Sequence, residues 1–429
     1  MYKISKLKNG IRLIVAPVSG TKATTVLAMF PVGSRYETKK ISGASHFVEH
    51  LMFKGTERRP TSEHISRELD ALGAEFNAFT SKDYTGYYIK IDGDKQEIAY
   101  DMLSDMIFHS KFDANEIKKE KGVIVEELRM YEDNPIMAVE QKFDTILFGN
   151  HPLGWDIGGS SKSVKGISRQ ELWNYYRRAY QPKQMILVVA GRVDKNKILA
   201  IKRLFGKELN TKISGKRFLD NDFVKYYRPK KKLPLMQRVW TEKRKIDQAH
   251  IILGFPGFKH KSADRYSAAL LFYILGGGMS SRLFVEVREK RGLAYMIRAG
   301  INYFRDCGSV YIKAGLNPAR LSEALKIILQ ELKKIVDQPV TTKELTEAKT
   351  NFAGRLALSL EDSSFQANWY ADRMLFQGKI ETYEETLKKI NSVTLKQINN
   401  LSKKLFQPEE MRLAVISPLE KNKILKMLN

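Results

Sequence analysis

Two histidines and a glutamate within five residues are the groups of this chain best suited to catalysis. They lie in the segment His46-Phe47-Val48-Glu49-His50, which reads as a helix opened by Ser42 as its N-cap. In a helix, the four-residue spacing puts both imidazoles on one face, with Glu49 beside them. Two neutral imidazoles supply two of the three protein ligands that a catalytic zinc ion usually takes, and a neighbouring carboxylate can act as general base. The third ligand must come from elsewhere in the chain.

A long helix after Asp113 offers that third ligand. Its apolar positions define one stripe, which consists of Ile117, Ile124, Leu128 and Tyr131. Glu120 and Glu127 fall on this stripe, whereas Glu126 is rotated by about 100° from Glu127. A glutamate that faces a core is costly unless it is paired or bound to a metal. We therefore predict Glu127 as the zinc ligand and Glu120 as a carboxylate that orients a histidine; periodicity alone leaves open that both are surface acids.

Composition, apolar runs, cysteine content and charge limit the kinds of protein that this chain can be. The 429 residues are enough for two or more domains, and a hydrophobic fraction of 43% is typical of a folded protein. No apolar run approaches the roughly 20 residues that a membrane span needs, and the start resembles no signal peptide, so we expect a cytoplasmic protein. A single cysteine, Cys307, excludes an internal disulfide and a cysteine-based zinc site. The net charge of +25 is mostly lysine spread over helix surfaces, and we expect no nucleic-acid partner.

The order of predicted strands and helices roughly repeats about 210 residues along the chain, which predicts a duplicated α+β fold of two homologous α/β-sandwich domains. A basic, proline-bearing stretch without periodicity marks the boundary. We place the metal-binding domain at residues 1–213, a linker at 214–235 and the second domain at 236–429. Where the first domain has its two histidines, the second has the apolar segment 268–275, which cannot bind a metal.

These motifs, in their order and spacing, resemble the pitrilysin/insulinase family of zinc peptidases with an inverted HxxEH motif, and most closely its short-chain, processing-peptidase-like branch. The motif HFVEH is followed by LMFKGT, and Glu127 lies 77 positions beyond His50. The resemblance runs over nearly the whole chain. Its further matches are Val32-Gly33-Ser34-Arg35, Asn77-Ala78-Phe79-Thr80, His151-Pro152-Leu153-Gly154 and the stretch from Gly276 to Tyr295.

The resemblance implies two halves joined by a linker that close like a clamshell around a cavity. It also implies one zinc ion per chain on the three predicted ligands, Glu49 as general base and Glu120 in support. In the family an arginine and a tyrosine seven apart complete the site, and Arg288 and Tyr295 match them. From the residues alone, Arg288 would read as an exposed charge at a helix end and Tyr295 as a core aromatic.

The expected function is that of a zinc-dependent endopeptidase acting on unfolded peptides. A predicted edge strand near the metal helix would bind the peptide in extended form, with Asn77 and Ala78 as contacts. Two alternatives are a peptide-binding scaffold subunit and a chain that is active only in a heterodimer. The intact metal motif argues against the first, and the presence of Arg288 and Tyr295 argues against the second. The family implies a homodimer.

Overall fold

The computed structural model describes residues 2–194, 196–206, 225–226 and 233–428. It divides into two compact units, and neither is contiguous in sequence. As far as they are described, the first comprises Met1–Arg129, Trp155–Val224 and Leu356–Ile380, and the second comprises Met130–Gly154, Lys225–Arg355 and Glu381–Asn429. Among the described residues, no helix is both long and apolar enough to span a bilayer.

A six-stranded sheet forms the centre of the first unit. Its strands are β1 Lys3–Lys6, β2 Arg12–Pro17, β3 Ala23–Phe30, β4 Glu75–Thr80, β5 Thr85–Asp92 and β6 Ile186–Gly191. They lie in the order β1-β2-β6-β3-β5-β4. The pair β2–β6 is parallel, and the other neighbours are antiparallel. Strand β4 therefore lies at one edge of this sheet.

The second unit contains a five-stranded sheet with the same topology. Its strands are β7 Val239–Lys243, β8 Ala249–Pro256, β9 Ala294–Tyr303, β10 Gly308–Leu316 and β11 Arg412–Ser417. The order β7-β11-β8-β10-β9, with β7–β11 parallel and the other pairs antiparallel, repeats β2-β6-β3-β5-β4 strand for strand. The prediction of a duplicated α+β fold is confirmed, with β1 as an addition to the first copy.

The helices connect and cover these strands. In chain order they are α1 Ala44–Leu51, α2 Ser62–Asp70, α3 Gln96–His109, α4 Ala114–Asp133, α5 Pro135–Phe148, α6 Ser161–Gly166, α7 Arg169–Ala179, α8 Ile198–Leu204, α9 Leu235–Arg238, α10 Arg265–Gly276, α11 Leu321–Asp337, α12 Thr342–Ser359, α13 Ser363–Phe376, α14 Tyr383–Asn391, α15 Leu395–Leu405 and α16 Lys421–Lys426. A π-helical turn spans Phe284–Glu289.

One face of each sheet is covered by a helix from the other half of the sequence. Helix α5 packs on β8 and β11, where its apolar residues meet Ile252, Ala414 and Ile416. Helix α13 packs on β3 and β6, where Ala367 and Ala371 lie in one cluster with residues of both strands. Each sheet buries its second face only because the chain exchanges these two helices.

The predicted contiguous domains differ from the two units in these exchanged segments. Residues 130–154, predicted for the first domain, pack with the second sheet, and residues 356–380, predicted for the second domain, pack with the first. A sequence pattern assigns an apolar helix face to a core but does not say to which one. Most of the predicted linker 214–235 lies outside the described residues, so its bounds stay a prediction.

The exchange predicts that single side chains on α5 strongly affect stability. Phe143 is 2% exposed, and its ring lies against Gly254 of β8. We expect Phe143→Ala to lower the free energy of unfolding of the second unit by about 3–5 kcal/mol, because it leaves a cavity under the sheet. Met137→Ala on the same helix is the control, since Met137 is 43% exposed. Equal losses in a urea titration of the two variants would contradict this role of α5.

Candidate metal centre

Helix α1 presents His46 and His50 side by side, as the four-residue spacing predicts. Their ring centroids are 4.6 Å apart, and their side chains are 14% and 20% exposed. Burial and the neighbouring His50 lower the pKa of His46 to about 4, so its ring is neutral near pH 7 and has a lone pair to donate. Helix α1 therefore offers two imidazoles in a half-buried setting.

Helix α4 supplies the carboxylate that faces these rings. The Oε2 atom of Glu127 lies 3.6 Å from Nε2 of His46 and 3.5 Å from Nε2 of His50. The neighbouring Glu126 points away, is largely exposed and pairs with Arg129 at 2.6 Å. The helical periodicity of α4 thus correctly distinguished the two adjacent glutamates.

The donor set fits a divalent metal ion such as zinc. One ligand atom from each of His46, His50 and Glu127 lies within 4.8 Å of the others. Atoms that bind zinc at about 2.0–2.1 Å with tetrahedral angles lie about 3.3–3.4 Å apart, close to the separations between the carboxylate and each ring. Direct N–H···O hydrogen bonds would be shorter, at about 2.7–3.2 Å. In addition, Nδ1 of His46 is buried with no hydrogen-bond partner among the described residues, so no hydrogen bond there fixes its tautomer against metal binding.

Glu120 contacts His50 at the ring nitrogen that does not face Glu127. Nδ1–H of His50 donates to Oε2 of Glu120 at 2.9 Å, which leaves Nε2 free to face Glu127. Oε1 of Glu120 lies 2.7 Å from the ammonium group of Lys54. Burial raises the pKa of Glu120, but the contacts with His50 and Lys54 outweigh it and lower the pKa overall. The predicted supporting position of Glu120 agrees with this geometry, whereas Lys54 was not predicted.

The two carboxylates also act on the protonation of His50. Burial lowers the pKa of His50, but its contacts with Glu120 and Glu127 more than compensate and raise it to about 9. A histidine that binds a metal must be neutral, so a cation that occupies the site takes the place of this proton.

Glu49 lies on the same helix with its carboxylate held by a hydroxyl group. Thr80, the last residue of β4, donates a hydrogen bond from Oγ1 to Oε2 of Glu49. Burial raises the pKa of Glu49, which favours proton acceptance near neutral pH. The role of Thr80 was not predicted, although the residue belongs to the matched motif Asn77-Ala78-Phe79-Thr80. Its contact depends on how α1 and β4 pack, and local sequence does not give that packing.

The start of α1 differs from the prediction. Gly43, with φ of +95°, occupies the N-cap position instead of Ser42 and makes no side-chain cap. A Cβ atom on Gly43 would lie 2.4 Å from the carbonyl oxygen of Gly158, and one on Gly159 would lie 2.2 Å from that of Ser42. The backbone of the loop around Gly158 thus approaches the helix start so closely that glycines are required on both sides.

A glutamate from outside the helix replaces the missing cap. The two carboxylate oxygens of Glu37 accept hydrogen bonds from the backbone N–H groups of Gly43 and Ser45, both at 2.7 Å. Burial raises the pKa of Glu37 to about 8, against the donors from Ser45 and Gly43, which favour its ionised form. The Ser45 hydroxyl is in turn 2.6 Å from that of Tyr175. No sequence pattern had singled out Glu37.

Strand β4 has a free edge beside this centre among the described residues, where it pairs with β5 alone. Asn77 is exposed and Ala78 is partly buried. The N–H group of Ala78 donates to Oδ1 of Asn77 at 2.8 Å, so β5 does not use it. The prediction of an edge strand near the metal helix is therefore confirmed, and helix α1 contacts this strand directly.

Arg288 and Tyr295 lie together in the second unit. The guanidinium carbon of Arg288 is 5.6 Å from the centroid of the Tyr295 ring and 4.9 Å from that of Phe284. Tyr295 is 76% exposed, at the start of β9. The reading of Tyr295 as a core aromatic is therefore wrong, and an exposed Arg–Tyr pair is available for a ligand.

Comparison with known proteins agrees with the resemblance. The sequence model of the insulinase family (peptidase family M16) matches residues 13–160, and that of the peptidase M16 inactive domain matches residues 166–352. An uncharacterized zinc protease of Bacillus subtilis, YmxG, is 35% identical over 97% of this chain and 98% of its own length. The chain belongs to the insulinase family of peptidases. A further relative, an uncharacterized zinc protease of Mycobacterium leprae, is 32% identical over 98% of this chain and 92% of its own length.

The fold of this insulinase-family chain is also that of a solved structure. A protease from Helicobacter pylori superposes with a TM-score of 0.89 at 24% identity, over 97% of this chain and 99% of the other. The description of residues 166–352 as an inactive domain agrees with the residue types of helix α10, which lies in this range. Helix α10 contacts β9 as α1 contacts β4, but it carries buried apolar residues, among them Ala268, Leu270 and Leu271, where α1 carries its histidines.

We predict that loss of the Glu120 carboxylate weakens metal binding. We expect Glu120→Gln to weaken Zn²⁺ binding about 10–100-fold, because a neutral amide holds His50 less well and leaves Lys54 without its anion. Competition with a chromophoric chelator measures the affinity. Glu126→Gln on the same helix is the matched control and should bind Zn²⁺ as tightly as the wild type. Equal affinities for the two variants would show that Glu120 does not support the site.

Proposed function

We propose that this chain is a zinc-dependent endopeptidase that hydrolyses unfolded peptides. The observation behind the proposal is the convergence of His46, His50 and Glu127 beside the carboxylate of Glu49. Membership in a family with relatives named zinc proteases supports it. The three donors form a single group, so we propose one zinc ion per chain.

A zinc ion held by these three residues would polarise the scissile carbonyl and acidify water at the site. The other groups belong to the chain itself. Glu49 takes the proton of the attacking water and returns it to the leaving amine, as its raised pKa allows. Thr80 fixes the orientation of that carboxylate through its hydroxyl group, and Glu120 keeps the ring of His50 in the tautomer that turns Nε2 toward Glu127.

The edge of β4 is the proposed binding surface for the substrate. An extended peptide can add to this edge by backbone hydrogen bonds, which are independent of side-chain identity. The N–H group of Ala78, which now bonds to the side chain of Asn77, can turn to a peptide carbonyl instead. Such binding requires an unfolded substrate and tolerates many sequences.

We propose that Arg288 and Tyr295 act on the same substrate. The exposed phenol of Tyr295 can donate a hydrogen bond to the oxyanion that develops during hydrolysis, and Arg288 can bind the peptide backbone or a charged group. Their exposure and mutual contact support a role in ligand binding. The homodimer and the cytoplasmic location stay predictions from the resemblance and the sequence.

A peptide-binding scaffold without activity is the second candidate. The description of residues 166–352 as an inactive domain favours it, because half of the chain carries no metal ligands at the position of α1. The first half keeps all three donors and the base, so we favour the peptidase.

Hydrolysis of a quenched peptide of about 10–20 residues tests the proposal. We expect Glu49→Gln to lower kcat about 10²–10⁴-fold while Zn²⁺ affinity persists, since the variant loses the base and keeps the ligands. A chelator should abolish the activity, and added Zn²⁺ should restore it. Glu126→Gln, which changes an exposed glutamate, should retain full activity. Equal rates for the wild type, Glu49→Gln and the chelated protein would sink the peptidase assignment and favour the scaffold.

A second measurement tests the C-terminal pair. We expect Tyr295→Phe to lower kcat about 10²–10³-fold, the usual cost of losing one oxyanion donor, without a change in Zn²⁺ affinity. Tyr303→Phe on the same strand is the matched control, because Tyr303 is half-buried and donates to the backbone of Arg265. An unchanged kcat in Tyr295→Phe would exclude this tyrosine from catalysis.

A further inference from the structure

The segment Gly33–Glu37 contacts both elements that carry the site. At its start, the N–H of Ser34 donates to the carbonyl of Ser81 at 3.2 Å, and that of Arg35 donates to the carbonyl of Lys82 at 3.0 Å. A Cβ atom on Gly33 would lie 2.2 Å from the carbonyl oxygen of Ser81, so only glycine permits this approach. The segment is thus joined to the turn that links β4 and β5.

A buried ion pair strengthens that junction. Nη1 of Arg35 lies 3.0 Å from Oδ1 of Asp83, and the two side chains are 0% and 1% exposed. A buried charge pair is costly to break, because removal of one partner leaves the other uncompensated. The position of the turn relative to the segment is therefore strongly fixed.

At its other end, the segment is joined to helix α1 through Glu37. The first N–H groups of a helix lack partners within the helix, so side-chain oxygens from another segment can satisfy them. Glu37 meets two of these groups, at Gly43 and Ser45, with one oxygen each. A serine at the N-cap would bind only one or two of these groups from within the helix, whereas Glu37 ties the helix to a separate segment.

The bond between Thr80 and Glu49 closes a ring of contacts. Thr80 directly precedes the turn that Gly33–Glu37 holds, and it donates to the carboxylate of Glu49 on α1. Helix α1 is therefore fixed at its first turn by Glu37 and at Glu49 by Thr80. Glu37 belongs to the segment Gly33–Glu37, and Thr80 precedes the turn to which that segment is hydrogen-bonded.

We propose that Glu37 is a positioning residue that sets the placement of helix α1, and with it the metal donors, relative to the edge strand β4. The role of that edge in substrate binding rests on the proposed function. The effect on the metal donors follows from the contacts of Glu37 alone. Glu37 touches neither the metal donors nor the edge, and it acts through the backbone of the helix that bears them.

The variant Glu37→Gln tests the proposal with little change in size. Its amide oxygen can accept one of the two N–H groups, but its NH₂ group must then face the other donor. We expect Zn²⁺ affinity, measured by chelator competition, to fall about tenfold or more, in the range known for groups that orient metal ligands. We also expect hydrogen–deuterium exchange to accelerate in the peptide that contains Gly43–Leu51, while peptides of the second unit exchange as in the wild type.

Glu331→Gln is the matched control. Glu331 is 4% exposed, belongs to α11 in the second unit and contacts Lys334 at 2.6 Å. Its loss should leave both Zn²⁺ affinity and exchange near α1 unchanged. Wild-type affinity in Glu37→Gln, or faster exchange in both units alike, would overturn the positioning role and make Glu37 an ordinary stabilising residue. If the wild type binds Zn²⁺ without hydrolysing peptides, the proposed function fails, and the two readouts on Glu37→Gln still decide this inference.

Discussion

Burial of carboxylates around one short helix is the constraint on which the metal centre depends. A carboxylate removed from water is costly unless donors or cations surround it, and two buried and two partly buried glutamates meet that condition here in four ways. One accepts backbone N–H groups, one accepts a hydroxyl, one lies between an imidazole and a lysine, and the last faces two imidazoles at distances suited to a shared cation. In that order they are Glu37, Glu49, Glu120 and Glu127. Only the last arrangement calls for a metal ion to complete it.

The duplicated fold shows the same topology without the pair of histidines. The strand order of the first sheet recurs in the second, and Ala23 and Ala249 begin equivalent strands 226 positions apart. In the second copy, α10 packs as an apolar helix with Ala268 and Leu271 fully buried, and the hydroxyl of Tyr266 near its start donates to the buried carboxylate of Glu381. Buried acids therefore occur in both copies, whereas among the described residues the two histidines with a carboxylate facing them occur only in the first. The same scaffold accepts either a helix with two histidines or an apolar helix at this position, because the sheet and its exchanged helix supply stability in both units.

Sequence patterns predicted the parts of the site that lie on single helices. The spacing of His46 and His50 and the stripe that contains Glu127 follow from helical geometry, which local sequence determines. The remaining contacts join segments far apart in the chain. Ser42 is a favoured N-cap residue by type, yet the close passage of Gly158 puts a left-handed glycine in its place, and only the tertiary fold brings Glu37 to the helix start. The exchange of helices was missed for a similar reason, because an amphipathic helix shows an apolar face but not the sheet that receives it.

The distribution of donors also decides where metal binding contributes to stability. The proposed ligands His46, His50 and Glu127, together with the carboxylate of Glu120, all belong to the first unit. A ligand that binds only the folded state stabilises it by about 2.7 kcal/mol at a concentration of 100 times its Kd, and this free energy is assigned to the unit that forms the site. The second unit, whose core contains no such site among the described residues, gains nothing directly. Both units bury acids as well as apolar residues, but among the described residues only the first has the group of donors through which a bound cation would add to stability.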